Sequence, residues 1–273
     1  MSDNPLKQYF RRPAIYLKLP SAGQGYEPGV LELPHNGELP IYPMTAIDEI
    51  TARTPDALYN GTAVVEIMKS CLPNVKDPWE VFSSDLDAIM IGIKVASNGN
   101  DIEMESECPK CKETGKYGVN LAAMLAQLKS GDYTKELNIH DLYFKFRPLK
   151  FKEMNDINLK QFEIQKTLFP TDTDTEEQRN KKNKDALKVV TDLTIDVLSK
   201  AIEYIKTPIG IVSEKPFILE FLRNCDRLTY NKVRDYTTEL KDQTEMPPLD
   251  IVCVNCSHPY KSKFTLNVTD FFE

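Results

Sequence analysis

The sequence predicts an α+β fold: a mixed helical body with a small antiparallel, zinc-ribbon-like β subdomain. Two observations predict it. Apolar residues recur at helical spacing through much of residues 45–99 and 149–246. Far apart from each other, two segments that read strand–turn–strand each carry a C-x-x-C at the turn: Cys108-Pro109-Lys110-Cys111 and Cys253-Val254-Asn255-Cys256. Such a pair sets two sulfurs on one tight turn, and two turns facing each other make a tetrahedral four-thiolate site of the kind that holds structural zinc.

Taken in order, residues 1–44 form an extended N-terminal arm. Its density of proline and glycine, from Pro5 through Pro43, forbids a long helix and leaves short strands at 14–19, 29–33 and 38–42. Tyr9-Phe10-Arg11-Arg12 sets two aromatics beside two guanidinium groups, a composition typical of interface anchors, so these four are the candidate partner-binding residues. Packing of the segment on its own domain is the competing reading. Residues 45–99 are helical. Thr45 caps a helix with Asp48 and Glu49 near its start, Thr54-Pro55 allows a second start, Thr62 to Cys71 runs to the stop at Pro73, and Ser84 caps a helix over 85–97.

Residues 100–148 plus 247–268 form the expected β subdomain. Asp101 to Glu105 alternates strictly into the first cysteine turn, and Lys116 to Val119 leaves it. A short helix at 121–128 and a hairpin around His140-Asp141 follow. Residues 249–252 enter the second turn and 260–266 leave it. Between these pieces, residues 149–246 are an inserted helical segment, with helices at 151–169, 176–206, 215–224 and 228–241 and a short strand at 209–212. Residues 269–273 form a tail.

The totals exclude several classes. There is no apolar run near ~20 residues and no signal-like start, so no membrane partner is expected. A net charge of −7 argues against nucleic acid as the main partner. Six cysteines are too few for a disulfide scaffold of this length, and the two outside the pairs, Cys71 and Cys225, read as small core residues.

The long separation of the two cysteine pairs is no obstacle to one site. Each doubling of a loop costs only ~0.6 kcal/mol, so about three doublings beyond a compact ribbon cost roughly 2 kcal/mol. Structural zinc returns ~10–16 kcal/mol. A redox pair would need its C-x-x-C at a helix start, and no helix follows either turn. Cys108, Cys111, Cys253 and Cys256 are therefore the expected ligands of one structural zinc ion, with His258 nearby as a possible substitute ligand. A four-thiolate site is closed to substrate. His35, His140 and His258 lie in no catalytic motif, and neither a phosphate loop nor a nucleophile elbow occurs. The chain reads as no enzyme.

Several stretches resemble a family of small baseplate proteins from contractile-tailed phages of the T-even type. They include Asn4 to Pro13, Tyr16 to Pro20, Asn36 to Leu39 with Tyr42 to Glu49, Thr54 to Leu58 with Asn60-Gly61, and Asp85 to Ile89 with Gly92 to Lys94. The two cysteine pairs and the terminal Phe271-Phe272 complete the match, most of which falls in the first ~115 residues. The resemblance implies a structural or assembly component associated with the baseplate hub. It would contact other baseplate, hub and tail proteins inside a large symmetric assembly, located in the virion tail and in host cytoplasm during assembly. Two alternatives remain: a zinc-ribbon nucleic-acid or transcription accessory factor, and an assembly chaperone absent from the mature particle.

Overall fold

Among the residues that the computed structural model describes, 4–54, 61–168 and 175–264, eight α-helices alternate with ten short strands, all paired antiparallel. The fold is α+β, as the sequence predicts. The expected helix start at Pro55, the loop after Pro170 and the tail 269–273 lie outside the described residues. The chain forms two compact units, residues 1–130 with 244–273, and residues 131–243.

In the first unit, a 3₁₀ turn (Pro5–Tyr9) leads into β1 (Ile15–Lys18), which pairs with β2 (Glu38–Ile41). Period-2 alternation puts Leu17, Leu39 and Ile41 on the covered face. The third expected strand, at 29–33, reduces to one bridge between Leu31 and Val75. A turn closes at Val30, whose N–H donates to the Glu27 carbonyl, and Pro34 follows, so too little chain is left for a ladder.

Helices α1 (Ala46–Ala52), α2 (Thr62–Cys71) and α3 (Ser83–Asn98) follow. Thr45 and Asp48 make a full capping box at α1. At α3 the expected cap is different: Phe82 occupies the N-cap, and no side chain caps there. Asp85 is instead fully buried and draws in the preceding loop, accepting from Ser21 N (2.8 Å), Ser21 Oγ (2.5 Å) and Tyr26 Oη (2.8 Å). Burial pushes the Asp85 carboxyl pKa up against the pull of these donors. The middle of α3 packs on the β1–β2 pair through Gly92, where a Cβ would stand 2.5 Å from Ile41 Cδ1. β3 (Asp101–Glu107) and β4 (Thr114–Asn120) form a seven-residue hairpin ladder, and α4 (Leu121–Leu125) closes the segment. The returning chain adds β9 (Leu249–Val252) and β10 (Pro259–Ser262).

The second unit is a four-stranded antiparallel sheet in the order β5 (Glu136–Ile139), β6 (Leu142–Phe146), β7 (Ile202–Thr207), β8 (Gly210–Val212). Its helices are α5 (Phe151–Leu168), α6 (Glu176–Ala201), α7 (Lys215–Asn224) and α8 (Arg227–Asp242). Here two expectations are corrected. The long helix stops at Ala201, because the next residues carry β7 alongside β6 (Phe144↔Ile205), and Ile202 and Ile205 reach the core as strand residues. The hairpin β5–β6 consequently belongs with β7 and β8 and not with the cysteine hairpins. Phe144, Phe146, Ile202, Ile205, Ile218 and Val233 centre the core.

Candidate metal centre

Both cysteine turns are built alike. In the first, Cys108 N donates to Glu113 O (3.0 Å) and Lys112 N to Cys108 O (2.9 Å). In the second, Cys253 N donates to His258 O (3.0 Å) and Ser257 N to Cys253 O (2.9 Å). The residue after the second cysteine is left-handed in each, Lys112 at φ 62° and Ser257 at φ 55°. The antiparallel ladders β3–β4 and β9–β10 hold these turns at their tips, so each pair of sulfurs leaves its turn on one side.

The four sulfurs converge, all lying within 4.8 Å of one another. Cys108 Sγ is 3.8 Å from Cys256 Sγ, and Cys111 Sγ is 3.6 Å from Cys253 Sγ. A tetrahedron with metal–thiolate bonds of ~2.3 Å has sulfur edges of about 3.8 Å, whereas a disulfide would need about 2.05 Å. All four are free thiols. The geometry fits one metal ion held by four cysteines. Of His258, the turn uses the backbone carbonyl, and the cluster consists of cysteines alone.

Backbone dipoles favour thiolate here. The N–H groups of Cys256 and Asn255 point at Cys253 and bring its pKa down to about 6. At Cys111 the Glu113 N–H pulls the same way, but burial and the neighbouring thiols outweigh it and push the pKa up to about 12.

Few contacts besides the sulfurs join the hairpins. Ser106 Oγ lies 3.0 Å from Ser262 Oγ. The neighbouring Tyr260 hydroxyl, followed by burial, raises the Tyr117 pKa to about 12, and both hydroxyls are buried without a hydrogen-bond partner. Tyr117 also folds over Gly115, where a Cβ would stand 2.6 Å from its hydroxyl oxygen. Sequence reasoning names the four cysteines that cluster but misses Lys112, because nothing about a lysine announces a left-handed turn.

The four candidate contact residues separate. Tyr9 and Phe10 are exposed, at 77% and 59%, and Arg12 is exposed. Arg11 turns inward and donates to Pro43 O (2.5 Å), Ser70 O (2.8 Å) and Ser70 Oγ (2.7 Å), with Asp48 Oδ2 at 3.4 Å. It pins the 3₁₀ turn to α1 and α2.

Compared with known protein families, residues 28–273 match the family described as T4 bacteriophage base plate protein. The chain belongs to this family. The match takes in both cysteine pairs and the whole of 150–245. Searches of curated proteins and of solved structures return no match. Membership of a baseplate family gives the chain a structural role in the phage tail alongside other baseplate and tail proteins. No helix among the described residues is long and apolar enough to cross a membrane.

Proposed function

We propose that this baseplate protein is a hub-associated, non-catalytic component of a contractile tail, working through protein–protein contacts on a body closed by one structural zinc ion. The observation that carries the reading is the family match over residues 28–273. The cysteine geometry supports the zinc: Cys108, Cys111, Cys253 and Cys256 would fill its tetrahedral shell and leave no open position for substrate. Bound there, the ion would act as a staple between β3–β4 and β9–β10. The protein would meet its partners in host cytoplasm during assembly and remain in the finished tail.

The exposed head of the arm, Tyr9 and Phe10 with Arg12 beside them, is the proposed contact point, and Arg11 sets its orientation. Truncating residues 1–20 would be a poor test, since it removes β1 and buried Leu17 and Leu19 from the fold. Tyr9→Ala with Phe10→Ala is cleaner. The double variant should fold and bind zinc normally yet enter tail particles poorly. Elemental analysis of purified wild type should return one zinc per chain. A metal-free protein of unchanged stability would sink the staple, and normal incorporation of the double variant would sink the contact assignment.

A further inference from the structure

The sheet of the second unit ends on an open strand. β8 is last in the order β5-β6-β7-β8, and residues 208–211 and 213 are exposed along it. Its loop to β7 is Pro208-Ile209 alone, which makes Thr207 and Gly210 the closing, hydrogen-bonded pair. Thr207 Oγ1 braces that turn, accepting from Ile209 N (3.3 Å) and Gly210 N (3.2 Å) and donating to Gly210 O (2.9 Å). Bonded and non-bonded pairs alternate along an antiparallel ladder, so Lys206 and Ile211 are a non-bonded pair. Ile211 therefore turns both its N–H and its C=O away from β7, out of the sheet edge. Its side chain stands on the open face in one row with Tyr143 and Lys206. It is 64% exposed, and Ile209 at the turn is 99% exposed.

Proteins blunt such edges with charged side chains, prolines or bulges. The opposite edge has that protection, since β5 carries Glu136 and Lys135 precedes it. From Pro208 to Ser213 the β8 edge has no charged side chain, and its proline lies in the turn, off the paired residues. The backbone names the occupant. An edge whose central residue offers both a donor and an acceptor is complementary to a copy of itself turned about a two-fold axis, because each Ile211 N–H then meets the other Ile211 C=O. We infer that two copies of this chain pair antiparallel through β8, with Ile211 opposite Ile211 on the axis and Gly210 opposite Val212. The two sheets then run on as one, and the two Ile211 side chains, neighbours on the same face, shield each other from water. The paired segment is short, so the dimer is weak and forms where the chain is concentrated.

The pairing is independent of the baseplate role, and its failure leaves that role untouched. Sedimentation velocity of the purified full-length chain across a concentration series should show a monomer–dimer equilibrium. Ile211→Lys, at an exposed position, sets like charges opposite each other on the axis. It should weaken the dimer at least ten-fold with an unchanged circular dichroism spectrum and melting temperature. Ile211→Glu should do the same, and a mixture of the two variants should associate again. Ile211→Pro removes an N–H that β7 does not use and should also leave monomer. Ile47→Lys, exposed on α1, should keep the wild-type equilibrium. A wild-type chain that stays monomeric at the highest concentration overturns the inference, whether or not another tail protein occupies the edge. So does self-association that Ile211→Lys leaves unchanged, or a mixture of the lysine and glutamate variants that fails to pair.

Discussion

On the zinc reading proposed above, Cys253→Ser removes one ligand of the clamp, and the structure dictates where the damage stops. A structural zinc site contributes ~10–16 kcal/mol at neutral pH. Against this, β9–β10 has little else to hold it. Ile251 is the buried aliphatic side chain of the hairpin, worth about 1.5–3 kcal/mol. The Ser106–Ser262 contact adds about 1 kcal/mol. A lone two-stranded hairpin is marginal in water at best. The metal therefore outweighs the side-chain contacts several-fold, and without it residues 249–262 should detach. The sheet β5–β8 has its own core around Phe144, Phe146 and Ile205 and should persist. Hydrogen exchange read by mass spectrometry resolves the two. Amides of β9–β10 and of the first cysteine turn should lose nearly all protection in the variant or in chelator, while those of β6 and β7 keep theirs. Unchanged protection at 249–262 would refute the clamp. Uniform loss across 131–243 would refute the independence of the second unit.

Lys112→Gly should stabilise the protein by about 1 kcal/mol in urea titration, because a non-glycine residue is strained at φ 62°; a loss of stability would mean that the lysine side chain matters more than its backbone. Arg11→Ala should cost about 2 kcal/mol, since it withdraws donors from the carbonyls of Pro43 and Ser70, whereas Phe10→Ala should stay within about 0.5 kcal/mol at its exposed site. Lys215 gives a pH signature. Burial, followed by the charges of Arg147 and Lys150, brings its pKa down to about 8 from 10.5. Between those values the unfolded chain binds a proton that the folded chain has released, so stability should rise with pH across that window. The rise should be missing from Lys215→Met in parallel chemical denaturation at pH 7.5 and pH 10.

What the sequence determined by itself is what is local. Hydrophobic period placed α2 at residues 62–71 and α7 at residues 215–224 on their observed bounds, and the stop at Pro73 acts through one residue's own backbone. The cysteine cluster was legible for a similar reason: C-x-x-C brings two sulfurs together within a single turn, and the long closure between turns costs little. The end of α6 was illegible, since Ile202-Glu203-Tyr204-Ile205 continues the apolar stripe of a helix, and both isoleucines are buried in a strand whose register shifts against β6 at Lys145/Phe146. Pairing with β6, more than fifty residues earlier, decides between them. The inward turn of Arg11 likewise depends on Ser70 and Pro43, which tertiary packing alone brings within reach. Ser84 looked like a cap and Asp85 an ordinary first-turn acid, until Ser21 and Tyr26 folded over α3 and buried the carboxylate.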